Sequence, residues 1–385
     1  MPADKKELTF RTVSTIKEIP CHEWDRLFGE DTIEGWRYHK TIEESGIREF
    51  RILYLVAQSD ARYAAIIPFF IMDFSFTTVI QGPLQKIILA IQKIFPRAFK
   101  ARMLFVGLPT AEELYLGLDK EYDFSLIMDG AMDKLSEFCR REKIISILFY
   151  NLTEKHKALA EYLKIKRFAR MENFPNTLLT LDTPSWEDYL KKLSKNTRKD
   201  IRRKINKTSS LTKLDTQITE DIDGIKDEIY RLYLNNFNES DIQFETLTPE
   251  FFQNICRNMP GVAKFFITRD HTQKIVAFNL CIIQKDFCID KCVGFDKETA
   301  HKYNLYNATL IHNLEWCIKN RIKYYQLGIT AYSAKLRMGA SLMPMDIYVN
   351  INNPFLNRIF TKSIAKFVQP KNFDPTLRKL KIRKQ

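Results

Sequence analysis

Apolar residues recur along the chain with two spacings, and the same succession of spacings occurs twice. In the first half, a helical stripe is followed by a basic turn and a strand-like run: Ile127, Ala131, Leu135, Phe138 and Cys139, then Ile145–Tyr150. The second half repeats this with Tyr303, Tyr306, Leu310, Leu314 and Cys317, then Tyr324–Leu327. Cys139 and Cys317 lie 178 residues apart, as do Ile144 and Ile322. The chain is therefore interpreted as two copies of one unit.

A pair of predicted strands precedes each helix. Phe50–Ala57 and Ala64–Met72 form the first pair, and Ala263–Thr268 and Ile275–Ile283 form the second. Here Ala65 and Ala277 are 212 residues apart, so the first copy is longer by 34 residues. We place this excess between Asp73 and Val106.

These patterns predict a mixed α/β fold of mostly antiparallel strands with helices on both faces. Two tandem domains are expected, at 1–180 and 181–352, followed by a basic tail at 353–385. The first domain would carry an inserted amphipathic segment at 74–106.

Composition is that of a globular protein: of 385 residues, 45% are apolar and 28% charged. No apolar run approaches the roughly 20 residues that span a bilayer, and the first residues lack an apolar signal core, so a cytoplasmic chain is expected. The seven cysteines form no CxxC pair and the histidines no HxxxH spacing, so no metal site is expected.

The net charge of +13 is concentrated in two segments, Lys191–Lys207 and Phe355–Gln385, each with nine Lys or Arg and one acid. The first has a helical stripe of Leu193, Thr197, Ile201 and Ile205, and Ser194 is a suitable N-cap. Arg198 and Arg202 lie one turn apart and are expected to face one phosphate. A plain solvated basic face is the alternative.

The segment Pro83–Arg102 is apolar and basic and contains no acid. Its stripe of Leu84, Ile87, Ile88, Ile91, Ile94 and Phe95 predicts a helix. Such a helix suits the surface of an anionic membrane. The alternative is that it packs on the core of the first domain.

The second copy resembles a known family. Leu190-Lys-Lys-Leu-Ser-Lys-Asn-Thr-Arg-Lys-Asp-Ile-Arg-Arg-Lys is similar to the basic helix that opens the acyltransferase unit of Fem-like proteins. These GNAT-superfamily relatives include peptidoglycan bridge-forming aminoacyl transferases and cellulose-locus acetyltransferases. The stretch from Gly294 to Asn307 resembles the strand, turn and helix of that family. Tyr325-Gln-Leu-Gly-Ile-Thr-Ala-Tyr-Ser-Ala-Lys-Leu-Arg-Met-Gly resembles its closing motif.

The resemblance implies two GNAT-like domains and transfer of an acyl or aminoacyl group to an amine, for example on a cell-envelope precursor. The donor would be an acyl-CoA or, alternatively, an aminoacyl-tRNA. The glycine-rich loop that binds the CoA pyrophosphate in GNAT enzymes is absent at His301–Ala308, which puts acetyl-CoA in question. A third interpretation is a non-catalytic adaptor that binds a membrane or nucleic acid. Peripheral association with the inner face of the membrane is compatible with the first two.

Candidate site residues follow from this resemblance and from local spacing. Tyr332 and Lys335 lie three apart on a predicted helical turn, so they share a face; Tyr332 would protonate the leaving group and Lys335 would neutralise developing charge or bind phosphate. Asp290 would act as a base. The donor would contact Tyr303, Asn304, Val293 and Gly294, and the substrate Arg198, Arg202 and Arg337. The alternatives are surface positions for Tyr332, Lys335 and Asp290, and a simple N-cap for Asn304.

Overall fold

The strands follow the same order in two parts of the chain. The computed structural model describes residues 7–60, 62–75, 100–239, 246–353, 355, 357 and 369–380. The chain divides into two units. Unit 1 comprises Met1–Glu43, Ile47–Phe174 and Pro344–Gln385, and unit 2 comprises Glu44–Gly46 and Pro175–Met343.

Unit 1 holds strands in the order β1-β2-β3-β4-β6-β13, with a short β5 beside β3. Neighbours are antiparallel except for the parallel pair β4 and β6. The strands are β1 Thr9–Val13, β2 Phe50–Ser59, β3 Arg62–Ser75, β4 Lys100–Val106, β5 Gly117–Leu118 and β6 Ser146–Leu152, and β13 is Ser341–Ile351. The helices are α1 Cys21–Phe28, α2 Trp36–Glu44, α3 Phe124–Glu142 and α4 Lys157–Ile165.

Unit 2 repeats this order as β8-β9-β10-β11-β12-β7, with β11 and β12 as its parallel pair. The strands are β7 Ala169–Thr180, β8 Asp215–Thr219, β9 Ala263–Arg269, β10 Ile275–Gln284, β11 Phe287–Phe295 and β12 Tyr324–Gln326. The helices are α5 Trp186–Lys192, α6 Lys195–Leu211, α7 Lys226–Glu239, α8 Pro249–Asn258, α9 Lys297–Ala300, α10 Leu305–Lys319 and α11 Tyr332–Arg337.

The predicted repeat is present, and β3 and β10 are the equivalent inner strands. Each pairs on both sides, β3 with β2 and β4, and β10 with β9 and β11. The last strand of each unit, however, comes from the other repeat. β7 follows β6 in the chain but pairs with β12 in unit 2, and β13 follows β12 but pairs with β6 in unit 1. The chain therefore changes unit within these strands, after Phe174 and after Met343, and not at the predicted 180/181 and 352/353.

The extra length of the first repeat is divided between two connections. β3 continues to Ser75 and β4 begins at Lys100, so the β3–β4 connection is 76–99, whereas Lys285 and Asp286 alone join β10 to β11. A further excess lies at 107–123, which carries β5. The predicted bounds 74–106 were therefore too wide. The end of the predicted helix Pro83–Arg102 is strand, and Arg102 pairs across the strands with Asp73 at 3.1 Å. The stripe from Leu84 to Phe95 lies outside the described residues.

The described part of the basic tail belongs to unit 1. It forms α12 Pro370–Phe373 and α13 Pro375–Lys379. Leu377 is 1% exposed, and the Phe373 ring lies 6.1 Å from that of Phe174. This part of the tail is therefore packed against the rest of the protein. None of the described helices is long and apolar enough to cross a membrane.

Each unit has its own apolar core, which lies between one long α-helix and the strands of that unit. In unit 1 the α3 stripe packs on β3, β4 and β6, and in unit 2 the α10 stripe packs on β10, β11 and β12. All seven cysteines are free thiols, and those of the two stripes, Cys139 and Cys317, are buried.

A buried polar cluster lies beside the core of unit 1. His39 is 1% exposed, its Nδ1 lies 3.2 Å from the Tyr54 hydroxyl, and that hydroxyl donates to Glu43 at 2.6 Å. The ring of Trp24 lies 4.5 Å from the imidazole. Burial lowers the pKa of His39 to about 3, so the imidazole is neutral in the folded protein.

We expect this histidine to make unit 1 sensitive to acid. The unfolded chain takes up a proton at its ordinary pKa of about 6.5, so stability is complete above that pH and falls as the pH drops toward 3. Between pH 7 and pH 5 the loss is about 2 kcal/mol. Urea unfolding at both pH values should show a smaller loss in His39→Gln. The exposed His22→Gln is the control, and equal losses in both variants would contradict the assignment.

Candidate functional site

The parallel strands β11 and β12 are paired over three residues and then part. Their register runs from Phe287 with Tyr324 to Ile289 with Gln326. β12 ends at Gln326, whereas β11 continues to Phe295 beside β10. Beyond Ile289, β11 has no strand paired on its β12 side among the described residues, and we call this unpaired side of β11 the gap.

The chain after β12 stays with β7 and so leaves β11. The amide of Leu327 donates to the Thr177 carbonyl at 2.9 Å, and Thr177 Oγ1 donates to the Gly328 carbonyl at 2.7 Å. Gly328, Thr330 and Ala331 have positive φ angles of 70°, 71° and 46°. The glycine at 328 meets this need without a steric penalty.

Asp290 lies on β11 at the point where the strands part. The carboxylate is half-buried and accepts hydrogen bonds from Asn279 Nδ2, 3.1 Å from each oxygen, and from the Tyr325 hydroxyl at 3.0 Å. Tyr306 of α10 is close enough for the carboxylate, after burial, to raise the pKa of its hydroxyl. An oriented carboxylate at such a point is able to accept a proton from a ligand.

Tyr332 and Lys335 share a helical face as predicted, but that face is buried. Tyr332 is 1% exposed and its hydroxyl donates to the Pro175 carbonyl at 2.8 Å. Lys335 is 5% exposed, and its Nζ donates to three successive carbonyls, of Leu327 at 2.5 Å, Gly328 at 3.1 Å and Ile329 at 3.0 Å. The expected surface alternative for both residues is therefore wrong. In this structure they fix the turn between β12 and α11.

Asn304 and Tyr303 lie where α10 begins. Asn304 occupies the N-cap position with φ 52°, but its side chain accepts a hydrogen bond from Asn307 Nδ2 at 2.8 Å and caps no backbone amide. The expected simple cap is therefore wrong, because the Asn304 side chain is bonded to Asn307 instead. Lys204 of α6 donates to Asn307 Oδ1 at 2.9 Å. The Tyr303 carbonyl accepts from Thr208, also of α6, at 2.9 Å. A cation thus stands beside the positive end of the α10 dipole, which favours an anion there.

The basic helix forms as predicted, and Ser194 accepts from the Thr197 amide at 3.2 Å. Two of its three arginines, Arg198 and Arg202, are engaged by α5 and its C-cap residue, Leu193. Arg198 donates to the carbonyls of Lys191 at 3.2 Å and Leu193 at 2.6 Å, and Arg202 lies 3.5 Å from Glu187. The C-terminal carbonyls of a helix attract a cation, so the structure does not direct both groups at one anion.

The remaining candidates lie on β11 and α11. Val293 is half-buried opposite Asn279, and Gly294 pairs with Phe278. A Cβ on Gly294 would lie 2.4 Å from Phe278 Cε1 and 2.6 Å from the Leu232 carbonyl carbon. Glycine is thus required for α7 to approach β11. Arg337 is exposed at the end of α11.

Asn279, Tyr325 and Lys204 were missed by the sequence analysis. Asn279 had a visible signal, since it is the lone polar residue in the apolar run Ile275–Ile283. Tyr325 and Lys204 had none, because their contacts come from other elements. Within the described ranges, no group of three or more His, Cys, Asp or Glu residues is arranged to hold a metal ion.

Comparison with known families assigns the chain to one of them. The sequence profile of the FemAB-like family, described as peptidoglycan biosynthesis/recognition, matches residues 107–374. The match covers well over half of the 385 residues. The chain belongs to the FemAB-like family. The resemblance inferred from the motifs is thereby confirmed.

Solved structures share the fold at low sequence identity. FemX is similar with a TM-score of 0.56 and 10% identity, over 91% of this chain and 100% of that one. A tandem GNAT protein from the clavulanic acid biosynthesis pathway has the same TM-score and identity, over 90% and 99%. L-PGS from Bacillus licheniformis has a TM-score of 0.52 and 12% identity, over 85% and 95%. These structures confirm the mixed α/β fold of two GNAT-like units.

A curated relative covers most of this chain but is much longer. The protein named "Putative 8-amino-7-oxononanoate synthase 2" from Mycobacterium tuberculosis is 22% identical over 352 residues. The match includes 89% of this chain and 45% of that protein. The chain therefore spans about half the length of the curated relatives it matches.

We expect Lys335→Met to destabilise unit 2, because three backbone carbonyls lose the buried ammonium that they share as a donor. The expected loss is about 3 kcal/mol in the free energy of unfolding. Arg337→Met, on the same helix but exposed, is the matched control and should change it by less than about 0.5 kcal/mol. Urea unfolding followed by circular dichroism measures both. Equal effects would show that the three carbonyls do not depend on Nζ.

Gly294→Ala should also destabilise unit 2, since the added methyl group meets the backbone of α7. Overpacking of this kind costs about 1–3 kcal/mol. Gly224→Ala is the control, because a Cβ there has nothing within 4 Å. Thermal unfolding should show a lower melting temperature for the first variant alone. An unchanged melting temperature would mean that α7 and β11 are less closely packed than described.

Proposed function

We propose that this protein transfers an acyl or aminoacyl group from an activated donor to a primary amine. The observation that carries the proposal is the oriented Asp290 carboxylate at the divergence of β11 and β12. Membership in a family described by peptidoglycan biosynthesis and recognition supports an amine on a cell-envelope precursor as the acceptor.

The donor lies, in this proposal, in the gap between β11 and the turn after β12. Beyond Ile289 the backbone of β11 has no continuation of β12 beside it, so an extended donor arm fits against this edge. The start of α10, with Lys204 bonded to Asn307, suits a donor phosphate. Both acyl-CoA and aminoacyl-tRNA carry phosphate groups, and the absence of glycine at His301–Ala308 counts against acetyl-CoA.

The reaction requires the ammonium to lose a proton before it attacks. Asp290 takes that proton, and the freed nitrogen lone pair attacks the donor carbonyl. Val293 and Gly294 contribute backbone groups along the donor, and Tyr303 and Asn304 shape the phosphate end. Tyr332 and Lys335 act by holding the opposite wall of the gap, through the carbonyls of Pro175 and residues 327–329.

The substrate role of the basic residues remains part of the proposal. Arg202 is 61% exposed and pairs with an equally exposed Glu187, so a phosphate-bearing substrate is able to replace this weak contact. Arg337 offers a second exposed cation. If the donor is aminoacyl-tRNA, the exposed Lys195 and Lys199 of α6 would extend this contact along the RNA backbone.

Transfer to a defined amine tests the proposal. The purified chain is incubated with acetyl-CoA or with alanyl-tRNA, and with glucosamine or a soluble peptidoglycan precursor bearing a free lysine amine. We expect an amide product with one donor, detected by mass spectrometry, and at least a 100-fold lower rate for Asp290→Asn. Salt-sensitive tRNA binding distinguishes the two donors. Binding of these ligands without transfer would instead support the adaptor interpretation.

A further inference from the structure

Asn279 is a buried amide whose orientation is set by Asp290. It is 3% exposed, and its Nδ2 lies 3.1 Å from both carboxylate oxygens. In consequence its Oδ1 has no hydrogen-bond partner among the described residues. An unpaired buried acceptor destabilises a fold. The reversed amide would place Oδ1 against the carboxylate, where two acceptors repel each other.

Tyr325 holds the same carboxylate from the other strand. It is fully buried on β12, in the middle of the three paired positions, and donates to Asp290 Oδ2 at 3.0 Å. Asp290 is thus held from β10 and from β12 at once. Hydrogen bonds of this kind stabilise the ionised form of a carboxylate.

A β-bulge places Asp290 for these contacts. The register of β10 with β11 shifts between Leu280, opposite Cys292, and Cys281, opposite Asp290, so that Lys291 is the extra residue. Bulges change the direction of a side chain and are frequent beside active sites. The strand irregularity, the orphaned amide oxygen and the tyrosine contact therefore converge on one carboxylate.

We infer that Asn279 and Tyr325 are positioning residues that hold the Asp290 carboxylate ionised and in one orientation, ready to take a proton from the attacking amine. The inference rests on the proposed function. One proton passes from the ammonium to Asp290, and the nitrogen lone pair forms the N–C bond. The C–S or C–O bond to the donor then breaks, and the leaving sulfur or oxygen takes the second proton of the nitrogen.

Four titratable side chains around Asp290 are neutral near pH 7. They are Cys281 on β10, Tyr306 on α10 and Tyr325 on β12, with Cys292 on its own strand; the cation next to it on that strand is Lys291. Burial raises the pKa of Cys281 to about 12 and raises the pKa of Cys292, Tyr306 and Tyr325 as well. These four groups therefore stay neutral between pH 4 and pH 8.

Two variants and two matched controls test the inference. Asn279→Leu and Tyr325→Phe remove the donors. The controls are Asn313→Leu, which replaces a similarly buried amide on α10, and Tyr189→Phe, which removes a buried hydroxyl that donates to the Met338 carbonyl. With the donor and amine that the wild type uses, we expect at least a 10-fold lower kcat in the first two variants. The KM for the donor should not change, and the acid limb of the pH–rate profile should move to higher pH.

A measurement without turnover separates this inference from the proposed function. The ¹³C resonance of the Asp290 carboxyl, assigned with Asp290→Asn, is titrated in each variant. A titration midpoint displaced to higher pH in Asn279→Leu and Tyr325→Phe alone supports positioning, even if the wild type transfers nothing from acetyl-CoA or alanyl-tRNA. An unchanged midpoint, or equal loss of activity in the controls, overturns it. A Tm close to that of the wild type in Asn279→Leu is expected, since the variant also removes the unpaired Oδ1.

Discussion

The arrangement of unit 2 depends on a separation of two strands: after Gln326 the chain stays beside β7 but leaves β11. After Gln326 the chain follows β7, held by the Thr177 carbonyl and hydroxyl and by the ammonium of Lys335. The half of β11 beyond Ile289 is thereby separated from β12, and Asp290 stands where the two strands part. A lysine in this position is effective because one ammonium has three donors and meets three carbonyls.

The sequence predicted the regular elements well and the site less well, for a physical reason. Apolar spacing reports which face of a helix or strand is buried, and it located β3, β10, α3 and α10. It does not report hydrogen bonds to backbone carbonyls. Tyr332 and Lys335 were correctly placed on one face of the helix. Lysine, however, is usually exposed, and nothing in the local sequence indicates that its ammonium is bonded to the carbonyls of residues 327–329. Asp290 was named as a candidate from the sequence, whereas Tyr325 was not, because the contact between them joins residues 35 positions apart.

The basic helix shows that net charge, like apolar spacing, does not report which side chains are already paired within the protein. Counting residues gives a strongly positive α6, but Asp200 pairs with Arg203 and Lys204, and Glu187 of α5 pairs with Arg202. Arg198 is bonded to carbonyls that carry no formal charge. Local net charge therefore overstated the attraction for phosphate. The cation best placed beside the start of α10 is Lys204, and the net charge of Lys191–Lys207 does not distinguish it from the other eight Lys and Arg residues there.

β7 and β13 each complete the strand order of the other repeat, which limits how the molecule can be cut into fragments that fold. A cut at the sequence repeat, near residue 180, would leave the second fragment without the strand that flanks β12 and the first without the strand that flanks β6. Each fragment would expose the backbone donors and acceptors of a new sheet edge, which invites aggregation. The two copies, though similar in pattern, are therefore not independent folding domains. A protease that cleaves the chain between them would release no fragment that folds by itself.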